Sequence, residues 1–118
     1  MVSHESALDV HGLGDVDPAR VHLFVPPGFR RRADAVVLHR QIVPDRDAQE
    51  RMGYRVSTPA RAVAECAADS LPQELLDGAV ADALERGLTS PRQLRDTASS
   101  LGPRAELGIE RALSALDR

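Results

Sequence analysis

Lysine is absent from this 118-residue chain, and all 15 of its basic residues are arginine. That absence removes several chemistries in their usual form. A Walker A loop sets a lysine on the phosphates, a pyridoxal enzyme needs a lysine amine, and common nuclease cores place a lysine beside two acids. Tryptophan is missing too, and Phe24, Phe29 and Tyr54 are the only aromatics. The core must therefore be built from small aliphatic side chains, chiefly alanine, leucine and valine, present in 17, 14 and 11 copies. A single cysteine, Cys66, has no internal disulfide partner, which fits a reducing cytoplasm. No uncharged stretch approaches the roughly 20 residues of a membrane span. His4, Glu5 and Asp9 stand where an export signal places an apolar run, so the expected setting is the cytoplasm, without membrane.

What is present is one domain's length of sequence with its charge unevenly spread. Residues 20–40 hold Arg20, Arg30, Arg31, Arg32 and Arg40 against Asp34 alone, whereas residues 60–118 hold seven arginines against ten acids. The net charge of −3 thus conceals a basic front and an acidic rear.

Periodicity divides residues 1–118, read as a single domain, into a helix over 1–13, a basic β-region over 20–57 and a helical block over 58–118. Ser3 caps a helix from His4 to His11, with Gly12 beyond its end. Val21, Leu23 and Val25 alternate with His22 and Phe24 as one half-buried strand. Ala35 to Arg40 makes a second, and the nine residues PPGFRRRAD between them read as a hairpin loop. A further hairpin joins Ala48–Met52 to Tyr54–Ser57 through Met52-Gly53. Thr58 and Pro59 then open a helix with Ala60, Val63, Ala64 and Ala67 on one face. Pro72 opens a second helix, with Leu75, Leu76, Ala79, Val80, Ala83 and Leu84 as its apolar face. Ser90 and Gln93 form a capping box for a third, and Pro103 starts a fourth with Ile109, Ala112, Leu113 and Leu116 on one side. The expected class is α+β: a short N-terminal helix, a small, mostly antiparallel sheet of three or four strands, then about four helices.

No catalytic constellation emerges. His4, His11, His22 and His39 lack the close helical spacing or cysteine partner that zinc sites use, so no metal and no cofactor are expected. Gly12-Leu13-Gly14 follows a helix instead of a strand and lacks the third glycine of a dinucleotide loop. Cys66 sits in an alanine-rich helix with no activating base nearby. Glu74, Asp77, Asp82 and Glu85 lie opposite an apolar face, as a solvated surface does. Phe29-Arg30-Arg31-Arg32 is the remaining candidate. Three guanidinium groups suit phosphate or carboxylate, and Phe29 suits stacking on a base, against the plainer reading of a solubilising loop tip. Arg61, at the third position of its helix, opposes the helix dipole at a cost of about 0.3–1 kcal/mol. A carboxylate or carbonyl partner tying that helix to the sheet is expected.

Taken in order, VSHESALDVHGL (2–13), VHLFVPPGFRRR (21–32), VVLHRQIVPDRD (36–47), GYRVSTPARAVAECA (53–67) and LLDGAVADALERGLTSPRQLRD (75–96) resemble the C-terminal domain of AbiEi-type antitoxins of type IV toxin–antitoxin systems. The resemblance covers nearly the whole chain. It implies a non-enzymatic transcriptional regulator whose winged helix-turn-helix half binds operator DNA. The half resembled here serves antitoxin activity beside a nucleotidyltransferase-like toxin. These 118 residues carry no winged-helix half, so DNA binding by this chain alone is expected to be weak. The resemblance adds His39 and Arg40 to Phe29, Arg30, Arg31 and Arg32 as candidate partner- or nucleic-acid-binding residues. It marks Ser3, His4, Thr58, Pro59 and Arg61 as a structural motif. Two other readings stand beside it: a nucleic-acid-binding accessory module using the arginine loop, and a fragment of a nuclease-like regulator.

Overall fold

Capping residues set the starts of two helices and the end of a third. In the computed structural model, which describes residues 1–16, 21–28, 36–51 and 53–117, α1 spans His4–His11, β1 Val21–Val25, β2 Val36–Arg40, β3 Ala48–Arg51 and β4 Tyr54–Ser57. Four helices follow: α2 (Pro59–Ala68), α3 (Gln73–Glu85), α4 (Pro91–Leu101) and α5 (Pro103–Ala115). The fold is α+β. The Thr58 side chain accepts from Arg61 N–H and that of Ser90 from Gln93 N–H, each with proline at the first helical position. These bonds satisfy donors that a helix start leaves orphaned. Gly12, in the left-handed region at φ +67°, ends α1 as expected. The Ser3 cap is a correction. Ser3 holds the N-cap position, but its side chain makes no capping bond. Its hydroxyl turns to the His4 ring, and a carboxylate, the stronger acceptor, takes the His4 N–H instead.

The larger correction concerns β1 and β2, which pair in parallel, Val21 opposite Val36 through Val25 opposite Arg40. They do not form a hairpin. Ten residues separate them, at up to about 3.3 Å each, enough to return along a five-residue strand, so loop length alone does not impose an antiparallel turn. β3 and β4 do form the expected antiparallel hairpin, Ala48 opposite Ser57 and Arg51 opposite Tyr54. Val2 joins the ladders, bridging Leu23 antiparallel and Val56 in parallel. Its N–H donates to Arg55 carbonyl (2.9 Å), and its carbonyl accepts from Ser57 N–H (2.9 Å).

The buried face of β1 also differs from expectation. Phe24 is buried and Val21 is 47% exposed, so the His22/Phe24 face turns inward. The Phe24 ring carries the most apolar surface on the strand, and it packs against the His4 ring, centroids 5.2 Å apart.

The helical block surrounds α2, in which every residue from Pro59 to Ala67 is buried. Leu76, Leu94 and Ile109 are fully buried together with Ala79, Ala83, Ala98, Ala105 and Ala112 of α3, α4 and α5. Of the expected α5 face, Ile109, Ala112 and Leu113 are buried, but Leu116 is 45% exposed, just past the helix end. Gly108 explains itself by proximity: an added Cβ would stand 3.1 Å from both Ala67 Cβ and Leu76 Cδ2. The roughly 1 kcal/mol that glycine costs inside a helix is set against close packing of α5 on α2 and α3. Gly14, at φ +67°, lies where a Cβ would come within 3.1 Å of the Ala79 backbone nitrogen. Its N–H donates to Asp82 Oδ2 at 2.7 Å. The Gly12-Leu13-Gly14 segment therefore seats the end of α1 on α3.

Candidate functional site

The polar residues of the front half meet where α1, β1, β2 and α2 converge. Arg61 and Glu65 lie one turn apart on α2, on the same face of the helix, and both are buried. Glu65 acts as the hub. Oε1 accepts from His4 N–H (2.9 Å), and Oε2 accepts from Arg61 Nε–H (2.8 Å) and Ser57 Oγ–H (3.0 Å). Burial pushes the Glu65 carboxyl above its ordinary range, while hydrogen bonds from His4 and Arg61 pull it down. Arg61 Nη1 donates to Asp47 Oδ2 at 3.2 Å. This is the carboxylate contact expected of Arg61, and it ties α2 to the residue just before β3. The Arg61 guanidinium carbon also sits 5.5 Å from the Phe24 ring centroid, within cation–π range. Its Nη2 is buried and has no hydrogen-bond partner among the described residues.

Three histidines stand beside this network. His4 lies in the left-handed region at φ +51°, a conformation that costs a non-glycine residue about 1–3 kcal/mol and persists only where surrounding contacts impose it. Its Nδ1 is 2.8 Å from Ser3 Oγ, and its ring stacks on His39 with centroids 3.7 Å apart and planes at 14°. His22 Nδ1 is 3.1 Å from His39 Nε2. One ring nitrogen from each of His4, His22 and His39 can be chosen so that all lie within 4.8 Å of one another. Burial lowers the His4 pKa to about 3, assisted by His39, His22 and Arg61. His39 is lowered for the same first reason and then by His22, with Asp69 acting in the opposite direction. His22 and His39 are half-buried, whereas His4 is 7% exposed. A groove of about 220 Å³, lined in part by His4, Phe24, Arg61, Glu65 and Asp69, opens beside the network.

The structure brings Ser3, His4, His39, Thr58, Pro59 and Arg61 of the expected motifs to this one region. Phe29, Arg30, Arg31 and Arg32 lie outside the described residues. Arg40 closes β2 opposite Val25, and its side chain also lies outside what is described. Sequence reasoning missed Glu65 and Asp47, and it set His22 aside with the other histidines. Glu65 carries a legible signal, a lone acid in the apolar run PARAVAECAA. The two strands make His22 and His39 cross-strand candidates, and the parallel register sets them diagonal to each other with ring nitrogens 3.1 Å apart. His11 stays apart: its Nε2–H donates to the Ser57 carbonyl at 2.8 Å. Cys66 is buried, as expected, and burial pushes its thiol pKa up, away from reactivity. Among the described residues no helix is long and apolar enough to cross a membrane. Scans against family models, curated proteins and solved structures return no match for this chain.

Proposed function

We propose that this chain is a non-enzymatic antitoxin and regulator domain of the kind its sequence resembles, acting in the cytoplasm against a nucleotidyltransferase-like toxin. One observation supports the reading above others. The motif residues Ser3-His4, His39 and Thr58-Pro59-Ala60-Arg61, distant in sequence, meet at one buried junction. There both carboxylate oxygens of Glu65 are engaged, by His4, Arg61 and Ser57. Residues so committed hold a binding surface in shape; they are poorly placed to move protons on a substrate.

The basic segment between β1 and β2 supplies the proposed contact. Three guanidinium groups on phosphates would give a salt slope of only about −2 to −3 on a log–log scale, too shallow to hold nucleic acid firmly. The same groups suit an acidic protein patch through paired guanidinium–carboxylate bonds. The test is co-expression with a nucleotidyltransferase-like toxin of the type IV class. Growth restored by the chain, and lost when Arg30, Arg31 and Arg32 are replaced by alanine, supports the reading. Unrelieved toxicity overturns it. Tight DNA binding at about 150 mM salt that disappears in the triple variant replaces it with the nucleic-acid-binding module.

A further inference from the structure

We propose that His4, His22 and His39 together bind one divalent transition-metal ion of the zinc class, at a site that only the tertiary structure assembles. The spacing of the histidines in sequence argues against a metal, because the ligands come one each from α1, β1 and β2 instead of in pairs on one helix. The fold supplies the convergence. Val2 bridges to Leu23 and delivers His4 beside β1, while the parallel register sets Phe24 opposite His39 and leaves His22 diagonal to it.

The geometry of the pair is close to what an ion needs. Two imidazole nitrogens on one tetrahedral zinc, at about 2.0–2.1 Å from the metal, stand roughly 3.3 Å apart. His22 Nδ1 and His39 Nε2 are 3.1 Å apart. One ring nitrogen from each of the three lies within 4.8 Å of the others, so the full set must close by up to about 1.5 Å to reach the same spacing. The His39 ring must also turn out of its stack on His4. The torsion that turns an imidazole is intrinsically broad, so the barrier to this movement is set by the ring packing around His39.

Three further features fit a bound cation. Ser3 Oγ, 2.8 Å from His4 Nδ1, is placed as the outer hydrogen-bond partner that metal-ligating histidines use to fix ring and tautomer. This leaves His4 Nε2 for the ion. The positive charge that Arg61 exerts on His4 is offset in part by its own two carboxylate partners, Glu65 and Asp47, and Asp69 acts on His39 as a negative charge. The donor set is imidazole alone, which suits zinc, copper or nickel and excludes the oxygen-seeking magnesium and calcium. Three ligands leave one tetrahedral position open for water or for a side chain of a partner. A bound ion would staple α1 to both strands that flank residues 26–35, and so would fix the two anchors of the arginine segment. The inference does not depend on the toxin reading, since the ion binds the isolated chain.

The test uses tag-free protein stripped with a chelator and titrated with Co²⁺, followed by displacement with Zn²⁺. One equivalent of Co²⁺ should give the intense visible bands of a tetrahedral site, and Zn²⁺ should abolish them. His22→Ala and His39→Ala should each weaken binding by at least the roughly 10-fold that loss of even an outer partner costs. Should either variant fail to fold by circular dichroism, the imidazole nitrogen resonances of the unaltered chain decide. On Zn²⁺ addition those of His4, His22 and His39 should shift, while those of His11 stay in place. No saturating one-to-one signal, equal affinity in the folded variants, or shifts that include His11 and spare any of the other three would overturn the proposal.

Discussion

The front of the molecule and its helical rear are stabilised by different physics. In the rear, α3 to α5 pack alanine, leucine, valine and isoleucine against one another and against the apolar residues of α2, and no charged side chain of α3, α4 or α5 is buried. In the front, Ser3, His4, Ser57, Arg61 and Glu65 are all buried and hold the β-ladders to α1 and α2 through charge-assisted hydrogen bonds. An apolar contact tolerates small displacements, while a buried ion pair is worth keeping only when every partner stays in place. The front should therefore fail abruptly when one partner is removed, and it should respond to pH. The rear should lose stability in proportion to the volume deleted and be indifferent to pH.

Arg61→Ala is the sharpest way to break the front. It leaves the Glu65 carboxylate buried without its guanidinium, a loss of about 3–5 kcal/mol, enough to lower the Tm of a domain this size by about 10 °C or more. An unchanged midpoint in a thermal melt would make Arg61 a surface or partner-contact residue instead of a keystone. The matching change in the rear, Ile109→Ala, opens a cavity at a fully buried position and should cost about 2–5 kcal/mol. Its destabilisation, measured by urea titration, should be the same at pH 5.5 and pH 7.5. A clear pH dependence would show that the two halves are not energetically distinct.

The wild-type chain, with a chelator present, should itself lose stability as the pH falls below 6.5. His4, His11 and His39 all have folded pKa values below the ordinary 6.5, His4 near 3. Between about pH 6.5 and pH 3 the unfolded chain binds protons that folded His4 refuses, so stability present above 6.5 is withdrawn as the pH falls. Each such imidazole contributes at most about 1.4 kcal/mol per pH unit. Glu65, raised by burial, works in the opposite sense, adding stability as it takes up a proton, but it is one group against three. A urea midpoint that holds or rises from pH 7 to pH 5 would refute this balance.

Smaller effects belong to the rear. Ser90→Ala removes the acceptor for Gln93 N–H and should cost about 1 kcal/mol, seen as a shift of a few degrees in Tm. Arg95→Ala breaks the exposed pair with Glu110, 2.7 Å apart, and should leave the Tm within error, since exposed pairs contribute little. A shift as large as that of Ser90→Ala would mean that α4 and α5 depend on charge as the front does.

The sequence by itself determined the local structure. Thr58-Pro59, Ser90-Pro91, Gly12 and the 3.6-residue spacing of apolar side chains set the helices, because caps and amphipathic faces act within one or two turns. Gly53, at φ +88°, likewise set the β3–β4 hairpin, since a tight turn is written in its own residues. Arg61 announced its need for a partner through its position at a helix start, though not which carboxylates would answer. Tertiary structure alone decided the rest. The parallel register of β1 and β2, the inward turn of Phe24, the Glu65 hub and the meeting of His4, His22 and His39 all join residues from separate elements. No local propensity selects between a parallel and an antiparallel return. The choice falls to whichever arrangement buries Phe24 and satisfies the buried polar groups together, which only the assembled molecule can do.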